Sequence, residues 1–213
     1  IPNNSQEAYD YFGIEAVSAK SITDAFPEDN SDIVLEVNSN GGLVTVGSEI
    51  YTALKSYPGH ITVEVTGMAA SAASVAIMGA DKILISPTAQ IMIHKALFHW
   101  VSGNSDDLDK ASNALKASDQ AIVNAYAAKT GLSEGEILDM MKNETFMSAS
   151  VAVEKGFADE VMAFDDVGAV ASLESGLLPQ AVIDDFYANR SKRKSEIQNM
   201  LREIEKEEIL QGL

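Results

Sequence analysis

A chain of 213 residues is long enough for one large domain, or for one domain and an appendage. Apolar residues make up 46% and charged residues 22%, the balance of a globular protein, and 15 basic against 32 acidic residues leave a formal charge of −17. That charge argues against a general nucleic-acid binder and against docking on an anionic membrane, and the absence of cysteine excludes disulfides and thiolate metal sites.

No apolar run reaches the roughly 18 residues that a membrane span needs, and no basic-then-apolar leader opens the chain. A cytoplasmic location is expected. Ile1 is not a natural start, so a cut or processed form of a longer chain is expected. In AVSAKSITDAF, Ala19, Ile22 and Phe26 can share a helical face, and Asp29 to Asp32 form a polar break. IVLEVNS reads as a strand ending at Asn38, followed by the Gly41-Gly42 pair. VGSEIYTALKSY places Ile50, Leu54 and Tyr57 at helical spacing and closes at Pro58-Gly59. ITVEVTG is a second strand, expected to end at Gly67. AASAASVAIMGA is a helix of small residues ending at Gly79, and KILISP and AQIMIH are two short strands. Strand, helix, strand, helix, strand is the rhythm of an α/β domain.

From Asp106 to Lys129 the residues Leu108, Ala111, Leu115, Ile122 and Ala125 trace a long amphipathic helix. SEGEILDMMKN opens with Ser133 and Glu136 in capping-box spacing. FMSASVAVEKGFADEVM predicts a helix capped by Ser148 and stopped at Gly156, then a short strand. FDDVGAVASLESGLLPQ reads as a linker, and SKRKSEIQNMLREIEKEEIL as a charged helix with Ile197, Leu201 and Ile204 on one side. The expected domains are therefore 1–164 and a tail, 165–213, that serves as tether or docking element.

Ligands of open α/β sheets lie beyond the carboxyl ends of the strands. NSNGG (38–42), GMAAS (67–71) and IMIH (91–94) all fall there. A serine hydroxyl becomes a nucleophile when a histidine takes its proton, and that histidine needs a third group to fix its tautomer. Ser71 sits where a strand gives way to a helix, so the amides beginning with Ala72 N–H favour negative charge on a reacting carbonyl. Gly42, lacking a side chain, lets a second N–H approach the same oxygen, which completes an oxyanion hole. Ser74 lies almost a turn into the helix, where packing or a bond back to a carbonyl explains it better. His60, at a strand start, and His99, in a loop, are poorer bases than His94. No metal or cofactor is implied.

NSNGG, GMAAS, IMIHKA and NETFMSASVAVEKGFAD, in this order across residues 8 to 164, resemble the Clp protease proteolytic subunit family of serine peptidases. The resemblance implies a crotonase-like α/β fold with a handle helix at 106–129 through which two rings of subunits meet. It implies that Ser71 is the nucleophile and His94 the base, that Gly42 and Ala72 supply oxyanion amides, and that Gly41 and Gly42 pair with the substrate strand. Asn40 stands where the family has proline. The family's triad aspartate matches Glu144, with Asn143 and Asp139 as alternatives for the third member. Glu144, NSNGG and the C-terminal extension also resemble prophage-encoded head maturation proteases. On that reading the substrates are capsid and scaffold proteins in the host cytoplasm. The alternatives are a housekeeping degradative protease fed by an ATP-dependent unfoldase, a crotonase-like acyl-CoA enzyme, and a non-catalytic assembly protein. A ring-forming homo-oligomer acting on protein or peptide substrates, without nucleic acid or membrane partners, is expected.

Overall fold

A computed structural model describes residues 1–163; the linker and charged helix expected after Phe164 lie outside the described residues. A 3-10 turn (Asn3–Ser5) and two short helices, α1 (Gln6–Tyr11) and α2 (Ala19–Thr23), lead into strand β1 (Ile33–Ser39). Then follow α3 (Val44–Ser56), β2 (Ile61–Ala70), α4 (Ala72–Ile77), β3 (Lys82–Ile85) and β4 (Gln90–Ile93). The long helix α5 (Ser105–Thr130), α6 (Glu134–Lys142), β5 (Thr145–Ser148), α7 (Ala149–Glu154) and β6 (Glu160–Val161) complete the domain. No helix among the described residues is long and apolar enough to cross a membrane.

One mixed sheet organises the chain, with strand order β5-β4-β2-β3-β6 and β1 also paired to β2. The first half of β2 runs parallel between β1 and β3, while its second half pairs in parallel with β4. β4 carries β5 as an antiparallel neighbour. Ile61, Val63, Val65, Ile83, Ile85, Ile91 and Ile93 are fully buried, the β-branched side chains that suit a covered pleated surface. Tyr126, Ile137 and Met141 from the helices, Met147 from β5 and Phe157 from the turn after α7 close the core.

Three expectations need correction. β2 runs on to Ala70 rather than ending at Gly67. Its small residues have little strand propensity, and the ladder Met68–Ala70 to Gln90–Met92 overrides them. Residues Thr145–Ser148 form a strand, which the sequence did not announce because one face, at Phe146, is left exposed. Ser148 begins α7 by position only: its side chain makes no capping bond and meets Ser150 Oγ at 3.2 Å. The capping box of α6 is present in both directions, Ser133 Oγ accepting from Glu136 N–H and the Glu136 carboxylate accepting from Ser133 N–H.

Candidate active site

Ladder register brings the candidate residues to one end of the sheet. β2 and β4 are parallel with Ala70 opposite Met92, so the residues just past their ends, Ser71 and His94, lie nearly level. β4 and β5 are antiparallel and their ladder ends with Ile93 opposite Thr145, so His94 and Glu144 each lie one residue beyond that last pair. β1 pairs Ser39 with Ala69, which delivers Asn40 and Gly41 to the same edge.

Ser71 is the joint between β2 and α4. Its backbone stands at φ 55°, ψ −125°, the conformation of the first central residue of a type II′ turn, which glycine normally occupies. A serine held there carries strain of about 1–3 kcal/mol, and such strain collects at nucleophiles on strand-to-helix turns. Its amide donates to Met92 O (2.9 Å), fastening the elbow to β4. Its hydroxyl lies 2.6 Å from His94 Nε2. Both residues are part-buried, which leaves the pair reachable while sparing the contact full competition from water.

Gly41 stands at φ 94°, and a Cβ there would come within 2.6 Å of Ala70 O, 2.8 Å of Ser71 Cβ and 3.0 Å of Ala72 N. The close backbone approach therefore falls at Gly41 rather than at Gly42, where a Cβ would meet nothing within 4 Å. Gly41 N–H donates to Ser39 Oγ (3.2 Å). Ala72 opens α4, so its N–H is among the first-turn amides that have no intrahelical acceptor.

The third member is placed differently. Glu144 is exposed, has φ 47°, and makes no hydrogen bond to His94 among the described residues. Its amide donates to Met141 O (3.3 Å), and Asn143 closes α6. Asp139 lies on α6 with its carbonyl accepting from Asn143 N–H. Of the three, Glu144 is the one adjacent to the end of the β4–β5 ladder. His60 lies at the opposite end of β2, 3.7 Å from Asp81, and His99 is exposed in the loop before α5, so neither joins Ser71.

Two buried polar groups of α5 reach this end of the sheet and escaped the sequence reading. Asp119, only 7% exposed, accepts from Ala96 N–H (2.9 Å) and has Lys95 Nζ at 3.5 Å. Tyr126, 1% exposed, shares a 2.8 Å bond with Ser74 Oγ, and Ser74 Oγ donates to Ser71 O (2.6 Å). Burial pushes the Tyr126 hydroxyl above its ordinary pKa, so it stays a donor. The signal was available: 115, 119, 122 and 126 share one helical face, and a carboxylate there interrupts an otherwise apolar stripe. Ser74 itself makes the bond back to a carbonyl that its place in the helix predicts.

The family profile of the Clp proteases matches residues 17–165. The chain belongs to the Clp protease family. ATP-dependent Clp protease proteolytic subunit 1 of Chlamydia trachomatis is 30% identical over 168 residues, covering 73% of this chain and 88% of that relative. The proteins of the same name from Streptomyces avermitilis (30% over 159 residues, 73% of each chain) and Protochlamydia amoebophila (30% over 139 residues, 63% of this chain and 68% of that one) are similar. As a Clp protease the chain is a serine peptidase. The α/β architecture with its long helix α5 is the fold that this family and the crotonases share.

Proposed function

We propose that this Clp protease hydrolyses peptide bonds through an acyl-enzyme formed on Ser71. Ser71 Oγ attacks the scissile carbonyl carbon while His94 Nε2 takes its proton, which gives a tetrahedral oxyanion. The Ala72 and Gly42 amides hold that oxygen, and Gly41 and Gly42 pair with the substrate strand. His94 then returns the proton to the departing amine as the C–N bond breaks, and a water repeats the attack to release the acid. Glu144, one residue before the Thr145–Ile93 pair that ends the β4–β5 ladder, steadies the imidazole once its side chain turns inward. The 2.6 Å contact between Ser71 Oγ and His94 Nε2 is the observation that carries this reading.

The relatives named above are called ATP-dependent proteolytic subunits, which supports the degradative reading: a homo-oligomeric ring to which an ATP-dependent unfoldase feeds protein substrates. Exposed Leu97, Phe98, Trp100, Val101 and Leu108, in the loop before α5 and at its start, support self-association. A capsid maturation role is the second reading. It rests on Glu144, on Asn40 in NSNGG, and on the 48 residues that follow the family match.

Incubation with unfolded casein and with a stably folded protein separates them. The degradative reading expects casein to be cleaved into short peptides by the parent and not by Ser71→Ala, and the folded protein to resist unless an ATP-dependent unfoldase is added. Limited cleavage of capsid or scaffold protein at a few sites, with casein untouched, would favour the second. Casein hydrolysis that survives Ser71→Ala would refute the acyl-enzyme at Ser71.

A further inference from the structure

We propose that α5 is a two-point splint that sets the distance between Ser71 and His94, with Asp119 and Tyr126 as its positioning residues and Ser74 as the link. The proposal rests on reading Ser71 and His94 as the reacting pair.

The first point holds the histidine. The β4–β5 ladder ends at Ile93, and residues 94–104 adopt neither helix nor strand. His94 would therefore hang from a free strand end. Two residues on, Ala96 N–H is gripped by Asp119 Oδ1 at 2.9 Å, and Lys95 Nζ lies 3.5 Å from Oδ2. A buried carboxylate accepting a backbone amide makes a strong, directional anchor.

The second point holds the serine, and its donors can be assigned. Ser71 O can only accept, so the single hydroxyl hydrogen of Ser74 goes to it, and Ser74 Oγ in turn accepts from the Tyr126 hydroxyl. The same carbonyl accepts from Ser74 N–H (3.0 Å) and Val75 N–H (3.3 Å). Three donors thus fix the carbonyl of a residue whose backbone is strained, and Tyr126 braces the strongest of them. Relaxation of that carbonyl would swing Oγ away from His94.

Asp119 and Tyr126 are seven residues apart, two helical turns, and so lie on one face about 10 Å apart. One rigid element therefore fastens both partners of a 2.6 Å contact. Supporting groups outside the reacting pair are expected to matter at this level, because a displacement of about 1 Å can cost roughly 100-fold in rate.

The test compares full-length parent, Ser74→Ala, Tyr126→Phe, Asp119→Ala and Asp119→Asn by rate of fluorophosphonate labelling, by kcat and KM on a fluorogenic peptide, and by thermal melting. Asparagine keeps the oxygen that receives Ala96 N–H. Labelling and kcat are expected to fall about tenfold or more in Ser74→Ala and Asp119→Ala and about threefold in Tyr126→Phe, with KM unchanged, while Asp119→Asn recovers to within about threefold of the parent. Folded Ser74→Ala and Tyr126→Phe proteins that label within about twofold of the parent would overturn the splint, whatever their melting temperatures. So would an Asp119→Asn as slow as Asp119→Ala. Should Asp119→Ala fail to fold, the two hydroxyl deletions decide. A parent that does not label at Ser71 contradicts the functional reading instead, so the two failures are distinguishable.

Discussion

Gly41 cannot become alanine for two independent reasons: its φ of 94° is hostile to a side chain, and the added Cβ would sit 2.6 Å from Ala70 O. Gly41→Ala should therefore lose about 2 kcal/mol or more of stability and slow labelling at Ser71, read by thermal melting and probe kinetics. Gly42→Ala, with open space around it, should melt near the parent. Ser71 carries backbone strain of the same kind. Replacing it with glycine removes a Cβ from φ 55°, so Ser71→Gly should melt higher than Ser71→Ala, both being inactive. Equal melting temperatures would deny the strain. Much of this scale was legible: NSNGG, GMAAS and IMIH each end at the crevice because each closes a strand of the same sheet. The split between Gly41 and Gly42 was not, since it depends on which of the two glycines the fold brings up against Ala70.

Helix α6 carries its own pH dependence. Bonds from the Ser133 side chain and then from its backbone amide hold the Glu136 carboxyl below its ordinary pKa. A carboxylate depressed by folding stabilises the native state fully above its unfolded value, and that contribution is lost as pH falls through the folded value. Glu136→Gln should thus flatten the dependence of melting temperature on pH below about 4.5, while leaving the neutral-pH curve shape unchanged. A slope identical to the parent's in that acid range would contradict the assignment. This box was readable from four residues of sequence because capping is local. Strand β5 was not, because its warrant is the distant ladder to β4, and the extension of β2 to Ala70 has the same cause. The role of α5 lay between these cases. Its length and apolar stripe were plain, whereas the meaning of Asp119 within that stripe needed the position of Ala96.

At the scale of the molecule, the family match covers residues 17–165, and the described residues among them carry a continuous buried core. A chain ending at residue 164 is expected to keep its melting transition and its hydrolysis of small peptides. Loss of both would make the remaining residues part of the catalytic unit; loss of assembly alone would make them a docking element. The order of four motifs named the family. The residue expected as third triad member is where sequence reading and structure meet least closely, since Glu144 lies just beyond the end of the β4–β5 ladder with its side chain exposed. The central claim is that Ser71 and His94 work as nucleophile and base, and intact-mass analysis after fluorophosphonate treatment tests it most directly. One adduct per chain is predicted, mapped to Ser71, absent from Ser71→Ala and formed far more slowly in His94→Ala. An adduct that persists in Ser71→Ala, or labelling indifferent to the loss of His94, would contradict it.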